Sequence, residues 1–176
     1  PQRSRGRADD LRRRRRRRAL RVIGVRSAEP VTKTPTERAP LVDAARWPLL
    51  RVVYPPDYGD GDAFVRSLGA KLHAAVARRA PGRFVVLADL RRVERRPTAG
   101  DRKKIAEMLN ELADAFAPPV AEALVLRGEL MRLIVQGVTF LQGDKRYPRR
   151  IFTSPEEAEA WLHERAREAG LDLPRG

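Results

Sequence analysis

The amino-acid sequence predicts an α/β domain in which about four helices pack on a mostly parallel sheet of four or five strands. Short apolar runs of strand length alternate four times with segments whose apolar residues recur at helical spacing. Prolines and glycines separate these segments. Such alternation is typical of parallel strands joined by helical crossovers. We expect the folded domain to occupy residues 47–176, after an arm and linker over residues 1–46.

The strand candidates are four short apolar runs. They cover residues 49–54, 84–90, 121–126 and 150–153. The second run (FVVLADL) is apolar almost throughout, which is typical of a strand covered on both faces. We therefore predict that it lies in the interior of the sheet.

The helix candidates follow the strands in turn. Apolar stripes run over residues 64–76, 105–116 and 130–141. In the last helix Ser154 is a plausible N-cap, Pro155 suits the first helical position, and Glu157 completes a capping box. Trp161 belongs to the buried stripe of this helix, so we expect it to pack inward.

Positive charge is concentrated before the predicted domain. Residues 1–46 hold 15 of the 37 basic residues and 5 of the 23 acidic ones. A run of adjacent like charges buries nothing and repels itself, so we expect this arm to be disordered when alone. The run could neutralise phosphates, but no aromatic side chain is interleaved with it for base stacking. It consists of Arg12, Arg13, Arg14, Arg15, Arg16, Arg17 and Arg18.

Several functional classes find no support in the sequence. There are no cysteines, which excludes disulfides and thiolate sites, and no apolar run is long enough to span a bilayer. Nucleotide-binding, nucleophile-elbow and zinc-protease motifs are absent, and His73 and His163 stand apart from any matching nucleophile. The acidic turn at residues 57–62 fails the calcium-loop pattern and suits turn formation and helix capping. We expect a bacterial, cytoplasmic protein that is not an enzyme and needs no metal or other cofactor.

Two segments of the domain together resemble a known family. Residues 150–162 (RIFTSPEEAEAWL) are similar to the C-terminal segment of small bacterial STAS-like proteins, which are relatives of anti-sigma-factor antagonists (SpoIIAA-like). Asp89 and Leu90, followed by Thr98, Ala99 and Gly100 at a helix start, resemble the STAS signature in matching order and spacing. The resemblance covers roughly residues 47–169 and implies a STAS-like fold and a regulatory role in protein–protein interaction.

The resemblance also implies a regulatory position at the helix start. In signalling STAS proteins, the hydroxyl residue before the glycine is phosphorylated by a partner kinase. Here that position is Ala99, while Thr98 keeps a hydroxyl one residue earlier and Pro97 replaces the usual aspartate. The ordinary switch is therefore expected to be absent. Thr98 is the remaining candidate for phosphorylation, and helix capping is the alternative role for its hydroxyl.

The loop after the second predicted strand is the candidate binding site. Between residues 91 and 104 it carries seven basic and two acidic side chains at a strand end, where α/β proteins meet ligands and partners. We predict that it binds the acidic surface of a partner protein; a solvated basic loop, with Asp89 merely capping it, is the simpler alternative. Nucleic-acid or anionic-surface binding through the arm is the second function, and deleting residues 1–40 would separate the two. The predicted partner-binding residues are Asp89, Arg91, Arg92, Arg95, Arg96, Thr98, Ala99, Gly100, Arg102 and Lys103.

Overall fold

A computed structural model describes residues 39–57, 59–79, 82–143 and 147–174, without the side chain of Leu130. These residues form five strands and four helices. The strands are β1 (Leu41–Asp43), β2 (Leu49–Val53), β3 (Val85–Asp89), β4 (Ala121–Val125) and β5 (Arg149–Phe152). The helices are α1 (Gly61–Ala77), α2 (Ala99–Ala115), α3 (Glu129–Leu141) and α4 (Pro155–Glu168). The predicted α/β class is confirmed.

The strands form one sheet in chain order, β1-β2-β3-β4-β5. β1 runs antiparallel to β2, and every other neighbouring pair is parallel. β3 lies in the centre, which confirms the interior position predicted for residues 84–90. The two edge strands are short, with three residues in β1 and four in β5.

The order of the strands decides where the helices lie. Each of α1, α2 and α3 joins a parallel strand to the next neighbour in the same direction, and right-handed crossovers of this kind place all three on one face. We call this the helical face of the sheet. α4 follows the last strand and covers the opposite face, where its Ala158 and Leu162 are fully buried.

Alternation along the strands supplies both cores. Successive side chains of a strand point to opposite faces of the sheet. On β2, Leu49 therefore packs in the apolar cluster between the sheet and α4, which we call the α4 cluster, and Leu50 packs in the cluster between the sheet, α1 and α2. Trp161 is half-buried against the α4 cluster, with its ring centroid 5.6 Å from that of Phe152. The inward packing predicted for Trp161 is thus confirmed.

The ordered structure begins earlier than the sequence indicates. β1 lies inside the range 1–46 assigned to arm and linker, and it pairs with β2 from Leu41↔Val53 to Asp43↔Arg51. Pro40 is fully buried, and its carbonyl accepts a hydrogen bond of 2.7 Å from Lys71 Nζ. The segment before β2 is therefore part of the sheet domain. The arginine run and the rest of residues 1–38 lie outside the described part of the chain.

Candidate functional site

The loop between β3 and α2 lies at the carboxyl edge of the parallel strands and is fixed to its neighbour. Backbone N–H groups of Glu94 and Arg95 donate to the carbonyl of Pro56, at 2.9 and 3.3 Å, in the loop between β2 and α1. The Arg95 guanidinium donates to the Gly59 carbonyl and lies 3.8 Å from Asp57 Oδ1. The basic loop is thus held in place by the preceding crossover.

Asp89, at the end of β3, is a structural carboxylate. Only 5% of its surface is exposed, and it accepts hydrogen bonds from the backbone N–H of Arg91 at 3.1 Å and from Nε and Nη2 of the same side chain at 3.0 and 2.8 Å. Burial alone would raise the pKa of Asp89, but the hydrogen bonds from Arg91 outweigh it and lower the pKa. These bonds match the capping role given to Asp89 as the simpler alternative, because its side chain holds Arg91; contact of Asp89 with a partner stays a prediction.

Two lysines of the loop and helix start are paired with carboxylates. Lys104 forms an ion pair with Asp62 in the first turn of α1, and Lys103 lies 3.7 Å from Glu107 one turn further along α2. The Lys104–Asp62 pair raises the pKa of the lysine. The Lys104–Asp62 pair joins the starts of α1 and α2, and the two pairs together leave fewer unpaired cations than the sequence indicates.

Three arginines remain without a carboxylate partner among the described residues. Arg92 and Arg96 are exposed and Arg102 is half-buried, and no ion pair joins any of them to the described part of the chain. We call these three side chains the basic face. The seven cations of the predicted site are therefore divided between structural pairs and a smaller free set.

The start of α2 is closed by a capping box. Thr98 Oγ1 accepts from the backbone N–H of Asp101 at 3.1 Å, and Asp101 Oδ2 accepts from the backbone N–H of Thr98 at 2.9 Å. Thr98, Ala99 and Gly100 are all exposed. The capping alternative for Thr98 is confirmed, while its phosphorylation stays a prediction.

The acidic turn at residues 57–62 forms turn and capping hydrogen bonds, and the two histidines lie on helices. Asp60 caps α1 by accepting from the N–H of Asp62 at 2.9 Å, and Asp57 accepts from the N–H of Gly59 at 2.9 Å. His73 lies exposed on α1 beside the Phe116 ring, and His163 lies on α4. Within the described residues, no group of three or more acidic or histidine side chains could hold a metal ion. None of their helices is both long and apolar enough to cross a bilayer.

A second polar site, which sequence reasoning missed, lies on the helical face. Glu122 of β4 is buried there, and Arg149, its register partner on β5, donates through Nε to Oε2 at 2.6 Å. Arg149 also donates to Thr139 of α3 and to Gln142 at the C-cap of that helix, at 2.9 and 2.6 Å, and to the Tyr147 hydroxyl at 2.9 Å. The only signal in the sequence is a glutamate inside the apolar run AEALVL.

Two tyrosines lie beside this pair. Burial, with the negative charge of Glu122, raises the pKa of both Tyr54 and Tyr147 above the ordinary value. Both phenols therefore stay protonated at neutral pH. The Tyr147 hydroxyl lies 3.4 Å from Glu122 Oε2, whereas the Tyr54 hydroxyl makes no hydrogen bond to the described residues.

The outer surface of α3 is unusually apolar. Leu133 and Phe140 are 61% and 85% exposed, and Leu141 at the end of the helix is 49% exposed. Large exposed side chains that cluster on one helix are a common mark of contact surfaces. Nothing in the described structure covers them.

Comparisons of the chain with protein-family models, with curated proteins and with solved structures give no match.

Proposed function

We propose that this chain is a non-enzymatic, STAS-like regulatory module that binds the acidic surface of a partner protein through its basic face. The observation that carries the proposal is a set of three arginines that have no carboxylate partner in the described part of the chain, Arg92, Arg96 and Arg102. They lie on a loop and helix start that are otherwise held by ion pairs and backbone hydrogen bonds. A fixed loop presents its free charges in one geometry. Such preorganisation lowers the entropy lost when a partner binds.

The position of these charges argues against a role in stability. A helix N-terminus carries partial positive charge, so a cation in the first turn is unfavourable there. Arg102 occupies the first turn of α2, close to Arg96 in sequence. The position of Arg102 is therefore more readily explained by binding than by folding.

The resemblance to STAS proteins supports the same surface. The capped start of α2, at the carboxyl edge of the central strand, corresponds to the segment through which that family contacts partners. With Ala99 at the usual hydroxyl position, we propose binding without the ordinary phosphorylation switch.

The test is a comparison of two triple variants of the full chain. Arg92, Arg96 and Arg102 are changed to Gln in one, and Arg66, Arg78 and Arg167 in the other, so that the net charge falls equally. The control arginines lie exposed on α1, at its C-cap and on α4. Proteins that co-purify with each tagged chain from the native cell extract are quantified by mass spectrometry.

We expect a specific partner to be lost from the basic-face variant and kept by the control variant. The dissociation constant of the purified complex should rise about tenfold only for the basic-face variant, mainly through slower association, because complementary charges steer the encounter of two proteins. Equal retention by both variants would contradict the proposal.

The alternative function is binding of nucleic acid or anionic surfaces through the arginine run at residues 12–18. It rests on charge alone, because seven adjacent cations can release several phosphate counterions. Changing the seven arginines to Gln in the full chain should abolish DNA binding and its steep salt dependence while leaving partner binding intact. A truncation should end at residue 38 rather than 40, because Pro40 is buried and bonded to Lys71.

A further inference from the structure

Two adjoining clefts lie on the helical face of the sheet, beneath α2 and α3. Their cavity volumes are about 80 and 70 Å³, and both are partly open to solvent. Tyr54, Leu109 and Glu122 line both clefts. The two spaces therefore adjoin at one apolar side chain and two polar ones, and we call them together the sheet cleft.

The walls of the sheet cleft are largely apolar. Leu50 and Val86 of the sheet and Leu112 of α2 line the first part, and Met131 and Val135 of α3 line the second. An apolar cleft with a few convergent polar groups is the usual form of a small-molecule site. The polar groups then decide which chemistry fits.

Two polar atoms in the sheet cleft have no hydrogen-bond partner among the residues that the structure describes. Arg149 and Tyr147 both contact Glu122 through Oε2, and Oε1 accepts no hydrogen bond from the described residues. The Tyr54 hydroxyl is likewise free of hydrogen bonds to the described part of the chain. Neither atom belongs to the fully buried unpaired set, which among described residues comprises Arg46 Nε, Glu159 Oε1 and Arg165 Nε. Both side chains line the two parts of the sheet cleft.

We propose that the sheet cleft binds a neutral, mostly apolar small molecule that carries one hydrogen-bond donor for Glu122 Oε1 and one acceptor for the Tyr54 hydroxyl. Phenols and other hydroxyl or amide compounds with a ring-sized apolar body have this chemistry. This site is separate from the basic face and does not depend on the function proposed above.

The charge balance of the site favours a neutral molecule. Arg149 already compensates Glu122, with Nη2 at 2.5 Å from Oε2, and this guanidinium also binds Thr139, Gln142 and Tyr147. A bound anion would face the Glu122 carboxylate, and a bound cation would lose its hydration without a free counter-charge. A neutral donor meets neither penalty.

Three naphthalenes serve as probes of the full chain. 2-Naphthol has both a donor and an acceptor, 2-methoxynaphthalene has only an acceptor, and naphthalene has neither. Binding is followed by fluorescence titration and by NMR shift mapping. We expect saturable binding of 2-naphthol at one site, with shifts centred on Tyr54 and Leu109, and at least threefold weaker binding of the other two.

Point variants distinguish the cleft from general surface stickiness. Tyr54→Phe keeps the ring and should weaken 2-naphthol binding about three- to tenfold while leaving the thermal midpoint nearly unchanged, because the hydroxyl has no partner among the described residues. Leu109→Phe adds bulk in both parts of the cleft and should lower affinity further. Phe140→Ser removes the most exposed apolar side chain of α3 and is the matched control, expected to bind as the wild type does.

Loss of 2-naphthol affinity in Tyr54→Phe, with folding and the Phe140→Ser affinity unchanged, supports the site. Equal affinities for the three naphthalenes, shifts centred on α3 around Phe140, or no saturable binding would each overturn it.

Discussion

Glu122 and Arg149 lie directly opposite each other on the parallel strands β4 and β5, joined by two contacts of 2.6 and 2.5 Å to a single carboxylate oxygen. The Arg149 guanidinium uses its remaining donors on α3 and Tyr147. One cation thus joins two strands, a helix and the chain before β5. The pair lies on the helical face of the sheet and is buried there, so an unpaired charge at this position would lower the free energy of unfolding.

The first prediction concerns this pair. Arg149→Met should lower the free energy of unfolding by about 3–5 kcal/mol, because it leaves a buried carboxylate without its partner. The double variant Glu122→Leu with Arg149→Met should recover much of that loss, since no charge remains to be buried. Urea denaturation of the two single variants and the double variant measures the coupling. Additive losses, with the double variant the least stable, would show that the pair is not coupled.

The second prediction concerns the cap of α2. Thr98→Ala removes the acceptor for the Asp101 N–H and should lower the free energy of unfolding by about 1 kcal/mol, while Thr98→Ser should keep most of it. Thermal or urea unfolding measures both.

Thr98 is also the candidate phosphorylation site. Mass spectrometry of native protein tests for phosphate on Thr98, and partner binding by Thr98→Glu and Thr98→Val tests its effect. Unmodified Thr98 and unchanged binding in both variants would leave a module without a switch at this position.

The third prediction is a pH dependence that comes from Asp89. Its pKa in the folded protein lies below the ordinary value of 3.8, so on acidification the unfolded chain binds the proton first. The stability that Asp89 contributes is complete above that ordinary value and is lost as the pH falls through the folded-state pKa. The difference in unfolding free energy between wild type and Asp89→Asn should therefore be largest near neutral pH and shrink below about pH 4. A difference that stays constant down to pH 2.5 would be evidence against this role.

The fourth prediction separates binding from stability at Arg102. Arg102→Gln removes a cation from the first turn of α2 and should raise the free energy of unfolding by about 0.3–1 kcal/mol, while it weakens partner binding. Arg167→Gln, near the end of α4, should lower the free energy of unfolding and leave partner binding unchanged, because a cation there stabilises the helix. Denaturation and affinity measurements on both variants make the comparison, and a less stable Arg102→Gln would contradict it.

The sequence was most informative where the signal is local. The apolar run of β3 and the helical stripes depend on neighbouring residues only, and the N-cap at Ser154 forms as predicted, with its Oγ accepting from the Glu157 N–H at 3.3 Å. The second half of the predicted capping box does not form: the Glu157 side chain makes no bond to Ser154 in the described residues, and Ser154 Oγ donates to Glu156 instead, at 2.6 Å. β1 was missed because its three residues form a strand only through pairing with β2. The Glu122–Arg149 pair joins residues 27 apart, and the register of two strands that creates it is not visible in either segment.

The candidate site was predicted in part for the same reason. Topology alone places the basic loop at the carboxyl edge of the central strand. The sequence does not show which cations remain unpaired, however, because their partners are carboxylates of other elements. Lys104, for example, pairs with Asp62 of α1. For Asp89 the sequence left two roles open, contact with a partner and capping of the loop, because a polar residue at a strand end gives no indication of whether its side chain turns outward or is enclosed by the next arginine.

The two short edge strands bear on how the domain can be recognised. β1 offers three residues, and β5 follows Pro148 and carries Arg150, whose guanidinium lies 5.2 Å from the Phe152 ring centroid. Short edges with charge and a nearby proline give an incoming chain few backbone groups to pair with and discourage edge-to-edge aggregation. A peptide is therefore not expected to dock by strand addition to this sheet, and recognition falls to side chains on its loops and helices.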